Sequence, residues 1–235
     1  MKRNDPNLVK VEIVAAALDV LCDELVFVGG CAAGLLLTDP AATQARLTND
    51  VDLVAEVTAL RGYHVMEAEF ARRGFVRDMS PAAPICRWRC RDIEVDLMPT
   101  DVRILGFANR WYPQAVAAAR QMSLPSGTAI RLIAAPHFLA TKFEAFADRG
   151  NADVLGSHDL EDIINVIDGR AELLDEIAIE TPALRAYLGQ RCADLLATPH
   201  FSNYLPGLLA QDETLAQRVT AATSRLQTIA AFAHP

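Results

Sequence analysis

Aspartates are the residues best placed to do chemistry in this chain. Thr48-Asn49-Asp50-Val51-Asp52-Leu53-Val54 alternates polar and apolar side chains, the pattern of a strand with one buried face. On such a strand Asp50 and Asp52 project to the same side while Val51 and Leu53 enter the core. Two carboxylates on neighbouring same-face positions repel one another unless a cation or a proton lies between them. The pair therefore reads either as a divalent-metal site or as a solvated outer face. Ile93-Glu94-Val95-Asp96-Leu97-Met98 alternates in the same way and puts Asp96 on the polar side of a second strand. If the two strands are neighbours, three carboxylates converge. A third piece, Val28-Gly29-Gly30-Cys31, is a strand-to-helix turn. Glycines there let the backbone approach a ligand closely, and the helix N-terminus that follows favours phosphate. It is neither a dinucleotide fingerprint nor a P-loop.

The elements that must carry these residues follow from periodicity and breakers. Residues 7–23 place Leu8, Val11, Val14, Ala15, Leu18 and Leu21 at helical spacing. Leu25–Val28 is a short apolar strand, and a helix runs from Cys31 to Leu37, stopped by Asp39-Pro40. A polar loop leads to the Asp50–Asp52 strand, which extends to Val57. Residues 59–74 read as a helix closed by Gly74. Ile85–Cys90 and Ile93–Met98 form a hairpin around Arg91-Asp92. A helix over 113–121 and a strand over 128–134 come next. From Pro136 onward the pattern is helical almost to the end, with Pro136 suited to a first turn and Ser157 to an N-cap. Strands crowd the first 135 residues and helices the last hundred. This predicts an α+β protein: a mixed sheet flanked by helices in residues 1–135, and a helical C-terminal domain in 136–235.

Composition narrows the setting. The 235 residues carry a formal charge of −8, which argues against a broad nucleic-acid platform. It leaves room for a local basic groove. Residues 61–103 hold eight arginines against seven acids, and Arg87, Arg89 and Arg91 share one hairpin face with Trp88 opposite. That face reads either as an RNA-backbone groove or as salt-bridged surface. Only three of the 22 basic residues are lysines (Lys2, Lys10 and Lys142), which singles out Lys142. The five cysteines are odd in number and scattered, so free thiols are expected and a zinc site is not. No apolar run approaches the roughly 20 residues of a membrane span. Without a signal-peptide core, the expected compartment is the cytoplasm.

Phe27-Val28-Gly29-Gly30, then a helix, then Asp50-Val51-Asp52, then a distant Asp96 resembles the nucleotidyltransferase fold shared with polymerase-β-type enzymes. Two later stretches resemble a branch of it. Ala135-Pro136-His137-Phe138-Leu139-Ala140-Thr141-Lys142-Phe143-Glu144-Ala145 and Ser157-His158-Asp159-Leu160-Glu161-Asp162-Ile163 are similar to segments of the AbiEii/MenT-like nucleotidyltransferases, toxins of type IV toxin–antitoxin systems. The resemblance runs from about residue 25 to 168, with a loop insertion over Thr38–Leu47. It implies a two-metal Mg²⁺ site at Asp50, Asp52 and Asp96, with Asp96 drawing the proton from the acceptor hydroxyl. Gly29 and Gly30 then hold the triphosphate of an NTP substrate, and Lys142 offsets its charge. Asp159 orients Lys142 or contacts the nucleoside. In that role Lys142 can be lost with little effect on stability. The implied acceptor is tRNA or a protein, and the implied partner a cognate antitoxin.

Other readings share these residues. An enzyme of the same fold can transfer a nucleotide to a small hydroxylated acceptor, as antibiotic-modifying members do, and a degenerate fold can bind nucleotide without catalysis. Lys142 can be a surface lysine. Glu161 and Asp162 suit a first helical turn, where acids complement the helix dipole. His137 and His158 read as structural or solvent-facing.

Overall fold

A computed structural model describes residues 5–149 and 156–233; Met1–Asn4, with Lys2, lie outside the described residues. Asn7 opens α1 (Leu8–Leu18), which turns Val11, Val14, Ala15 and Leu18 inward. The expected helix over 7–23 stops early. Asp19 takes φ 52°, and Asp19–Asp23 tightens into a 3-10 turn that redirects the chain into β1 (Leu25–Val28), buried along its whole length. Gly29 then starts α2 (Gly29–Leu36) directly, with no loop between strand and helix. The Asp50 segment forms β2 (Asp50–Ala55), two residues shorter than expected, followed by α3 (Leu60–Arg72), with Gly74 at φ 83° just past its end. After the two-residue β3 (Val76–Arg77) come the hairpin arms β4 (Arg87–Cys90) and β5 (Ile93–Pro99). Arg91 turns the hairpin at φ 55°.

Two short helices follow, α4 (Val102–Leu105) and α5 (Tyr112–Ala117), and then β6 (Arg120–Ser123) and β7 (Ala129–Leu132). Here the expected helix over 113–121 is corrected. It ends at Ala117, and 120–123 pairs antiparallel with β7 as an edge strand. Arg120-Gln121-Met122-Ser123 lies mostly in solvent, so it carries no apolar alternation to announce itself.

The seven strands form one mixed sheet in the order β3-β4-β5-β2-β1-β7-β6. β2 lies antiparallel to β1 and parallel to β5, and β1 is parallel to β7. The chain divides into two compact units, one of the boundaries falling inside α2. The sheet unit comprises Pro6–Ala32 and Leu47–Ala134. In it, Tyr63, Met66 and Phe70 of α3 are buried, Phe70 meets the Trp88 ring edge-on at 5.6 Å, and Tyr63 Oη donates to the Leu97 carbonyl at 2.8 Å. Burying each such side chain contributes roughly 1.5–3 kcal/mol. The face carrying Trp88, Val95 and Leu97 is thereby filled, which leaves the alternate residues to the opposite face.

Of the described residues, the helical unit holds Asp5, Ala33–Arg46 and residues 135–149 and 156–233. It contains α6 (Ala135–Arg149), α7 (His158–Gly169), α8 (Leu173–Ala178), α9 (Pro182–Ala197), α10 (Phe201–Tyr204) and α11 (Leu215–Ala230). Ser157 caps α7 as expected, its Oγ accepting from the Leu160 N–H at 3.2 Å. The Thr38–Leu47 stretch is tied down over much of its length. Thr38 and Asp39 donate their N–H groups to the Gly169 carbonyl, Thr43 Oγ1 accepts from the Ala210 N–H, and Arg46 pairs with Asp162. No described helix is long and apolar enough to cross a membrane.

Candidate active site

The carboxylates converge because of the parallel register between β2 and β5. That register sets Asp52 beside Asp96 and Asp50 beside Glu94. Asp50, Asp52 and Asp96 each offer one oxygen, and the three oxygens lie within 4.8 Å of one another. Asp50 and Asp52 are half-buried and Asp96 is buried, while Val51, Leu53 and Val95 are sealed on the other face. The alternation read from the sequence thus sorts the side chains as expected.

Gly29 stands against this group. Its φ is 69°, a conformation that disfavours side chains, and a Cβ built on it would lie 1.7 Å from Asp52 Oδ2. The turn is glycine because Asp52 occupies the space a side chain would take. Asp50 is braced from the strand's own start. Thr48 Oγ1 donates to Asp50 Oδ1 at 2.5 Å, the Thr48 N–H donates to Asn7 Oδ1 at 2.9 Å, and Lys10 Nζ donates to the Thr48 carbonyl.

A guanidinium enters the group as well. Arg87 faces Asp96 across the hairpin, and its Nε and Nη2 donate to Asp96 Oδ1 and Oδ2 at 2.9 and 2.8 Å. Nη2 also reaches Asp50 Oδ2 at 3.4 Å, and Nη1 donates to Glu94 Oε2 at 2.5 Å. The Asp96 hydrogen bonds above all hold the Arg87 pKa above its ordinary value. Burial first, and then the Asp96 charge, push the neighbouring Cys86 thiol up to about 12. The sequence reading placed Arg87 on the hairpin's arginine face and not at the carboxylates, and it gave Glu94 no role. The signal was present: a two-residue turn at Arg91-Asp92 pairs Cys90 with Ile93, and stepping outward pairs Arg87 with Asp96.

The same geometry gives Arg87 and Arg89 the salt-bridged reading of the arginine face. Arg87 is committed to carboxylates, and Arg89 pairs with Asp78 at 2.8 Å and Glu94 at 3.2 Å. All five cysteines are free and buried.

Lys142 and Asp159 lie in the helical unit. Lys142 is only 7% exposed, which removes the surface-lysine reading, and its Nζ stands 3.0 Å from Asp159 and 2.7 Å from Asp162. Asp162 lies past the first turn of α7 and is fully buried between Lys142 and Arg46, so ion pairing takes the place of the helix-dipole role expected for it. Glu161 stays partly exposed. His137 is buried 3.7 Å from Glu180, and burial lowers its pKa; His158 is exposed.

Fold and site together define an α+β protein with a carboxylate trio on one face of a mixed sheet, beside a glycine turn. No family model matches the sequence, and no curated protein does either. Solved structures do match. One is that of the antibiotic-resistance factor ANT(2'')-Ia, 17% identical with a TM-score of 0.49 over 83% of this chain and 98% of that one. Another is JHP933 from Helicobacter pylori, 12% identical with a TM-score of 0.48 over 97% of this chain and 93% of that one.

Proposed function

We propose that this protein is a metal-dependent nucleotidyltransferase that moves a nucleoside monophosphate from an NTP to an acceptor hydroxyl. The observation that carries this reading is the convergence of Asp50, Asp52 and Asp96 beside Gly29. They follow the chain order of glycine turn, helix, Asp-x-Asp strand and third aspartate that the polymerase-β-type resemblance requires.

The donor set suits the implied metal. Three carboxylates are hard oxygen ligands, and Mg²⁺ takes a few of these while keeping waters and substrate phosphates. Asp50 and Asp52 would hold both cations and Asp96 one of them, supplying charge neutralisation at the attacking and leaving oxygens. The chain's own residues do the rest. The N–H groups at Gly29 and Gly30 bind the triphosphate. Asp96 accepts the proton of the acceptor hydroxyl as its oxygen bonds to the α-phosphorus and the bond to the bridging oxygen breaks, releasing pyrophosphate. We take the acceptor to be tRNA or a protein and the protein to be a toxin held in check by a cognate antitoxin.

The test is incubation with each labelled NTP, Mg²⁺ and either total tRNA or cell extract. Transfer of label by the wild type and not by Asp52→Asn is expected. Nucleotide binding without transfer to any acceptor would instead make the protein a non-catalytic nucleotide-binding module.

A further inference from the structure

Arg87 poses a problem for any metal site built on the trio. Its fork takes a lone pair from both oxygens of Asp96 and reaches one oxygen of Asp50. A guanidinium is not deprotonated in a protein, so it cannot lose its charge to make way for a cation. Its side chain is 18% exposed, so solvent screens little of the repulsion between it and a divalent ion seated on the same carboxylates. The geometry offers a way out. Nη1 is held separately by Glu94 Oε2, outside the trio, so the fork can swing off Asp96 without leaving the sheet face.

Resting on the metal-site reading above, we propose that Arg87 is a counter-ion latch. Closed on Asp96 and Asp50, it keeps the trio from taking a divalent cation alone; it opens when the cation arrives with a polyphosphate, whose oxygens give the guanidinium a replacement partner. Arg–phosphate pairs are bidentate and strong, so the exchange conserves its hydrogen bonds. Metal and nucleotide then bind with positive coupling, and the coupling is reciprocal. If the fork sits on the carboxylates about nine-tenths of the time, the apparent affinity for metal alone falls about tenfold.

The experiment titrates Mn²⁺ alone into the full chain and follows the electron-spin resonance of the free ion, for wild type, Arg87→Met, Arg87→Lys and Asp52→Asn. Arg87→Met should bind Mn²⁺ about tenfold more tightly than wild type, with Arg87→Lys between. Against a protein-free control that subtracts the Mn²⁺ chelated by the nucleotide itself, a non-hydrolysable NTP analogue should tighten Mn²⁺ binding through its phosphates in both proteins, and by a larger factor in wild type than in Arg87→Met. Equal or weaker binding by a folded Arg87→Met overturns the latch and makes Arg87 a residue that orients the ligands. If Arg87→Met does not fold, Arg87→Lys decides by the same sign. If Mn²⁺ binds no variant, or binds wild type and Asp52→Asn alike, the metal-site reading falls and the latch falls with it.

Discussion

Asp52 is constrained on three sides: by Gly29 at the turn, by Asp96 across the parallel register, and by Asp50 two residues before it. If these carboxylates hold Mg²⁺ with nucleotide, ligand at about 100 times its Kd should raise stability by about 2.7 kcal/mol. Asp52→Asn should lose most of that increment while its unliganded melting temperature stays close to wild type; thermal melts with and without Mg²⁺–NTP check this. The sequence expectation is that loss of Lys142 spares stability, and its burial against two carboxylates predicts the opposite. Its removal leaves two buried carboxylates without their ammonium. Breaking a buried pair in this way typically costs about 3–5 kcal/mol, so Lys142→Ala should fall well below wild type in urea unfolding. The double variant Lys142→Met with Asp162→Asn should recover part of the loss. If Lys142 also serves the nucleotide, that double variant will be stable and inactive.

At the scale of elements, the β1–α2 turn and the β4–β5 hairpin do the positioning. Gly29→Ala faces two penalties. A left-handed backbone costs a residue with a side chain about 1–2 kcal/mol, and the new Cβ would drive Asp52 out of the trio. Both the unliganded melting temperature and Mn²⁺ binding should fall, whereas a change at an open glycine such as Gly106 should spare the metal. The hairpin is nearly as decisive. Its two-residue turn at Arg91 sets the register that brings Arg87 onto Asp96. Period-two alternation made β2, β4 and β5 legible. Edge strands β3 and β6 were not, because a short strand with one exposed edge and little burial has no apolar pattern to read.

Across the molecule, burial governs the cysteines. It raises the Cys22 thiol to about 11 and Cys192 to about 12, from an ordinary value of 9.0. The folded protein keeps these protons at pH values where the unfolded chain loses them. Their contribution to stability is therefore complete below pH 9 and disappears as the pH rises toward 12. Unfolding midpoints in urea should decline through that alkaline window, and less so in a Cys22→Ala, Cys192→Ala variant. At neutral pH the native protein should leave an aromatic disulfide reagent almost unreacted until it is denatured.

What the sequence by itself determined lies within a few residues of each point on the chain. The Asp-x-Asp alternation, the Gly-Gly turn, the tight hairpin and the Ser157 cap are local statements of sterics and periodicity, and the structure contains each of them. The tertiary structure alone decided which strands became neighbours. β5 lies beside β2 rather than at a distance, and only that order gathers the three carboxylates. It also decided which charges meet: Arg87 with Asp96, Lys142 with Asp162, and Arg46 with the same Asp162 from more than a hundred residues away. Strand order and buried ion pairs are chosen by the packing of distant segments, so no window of local pattern contains them.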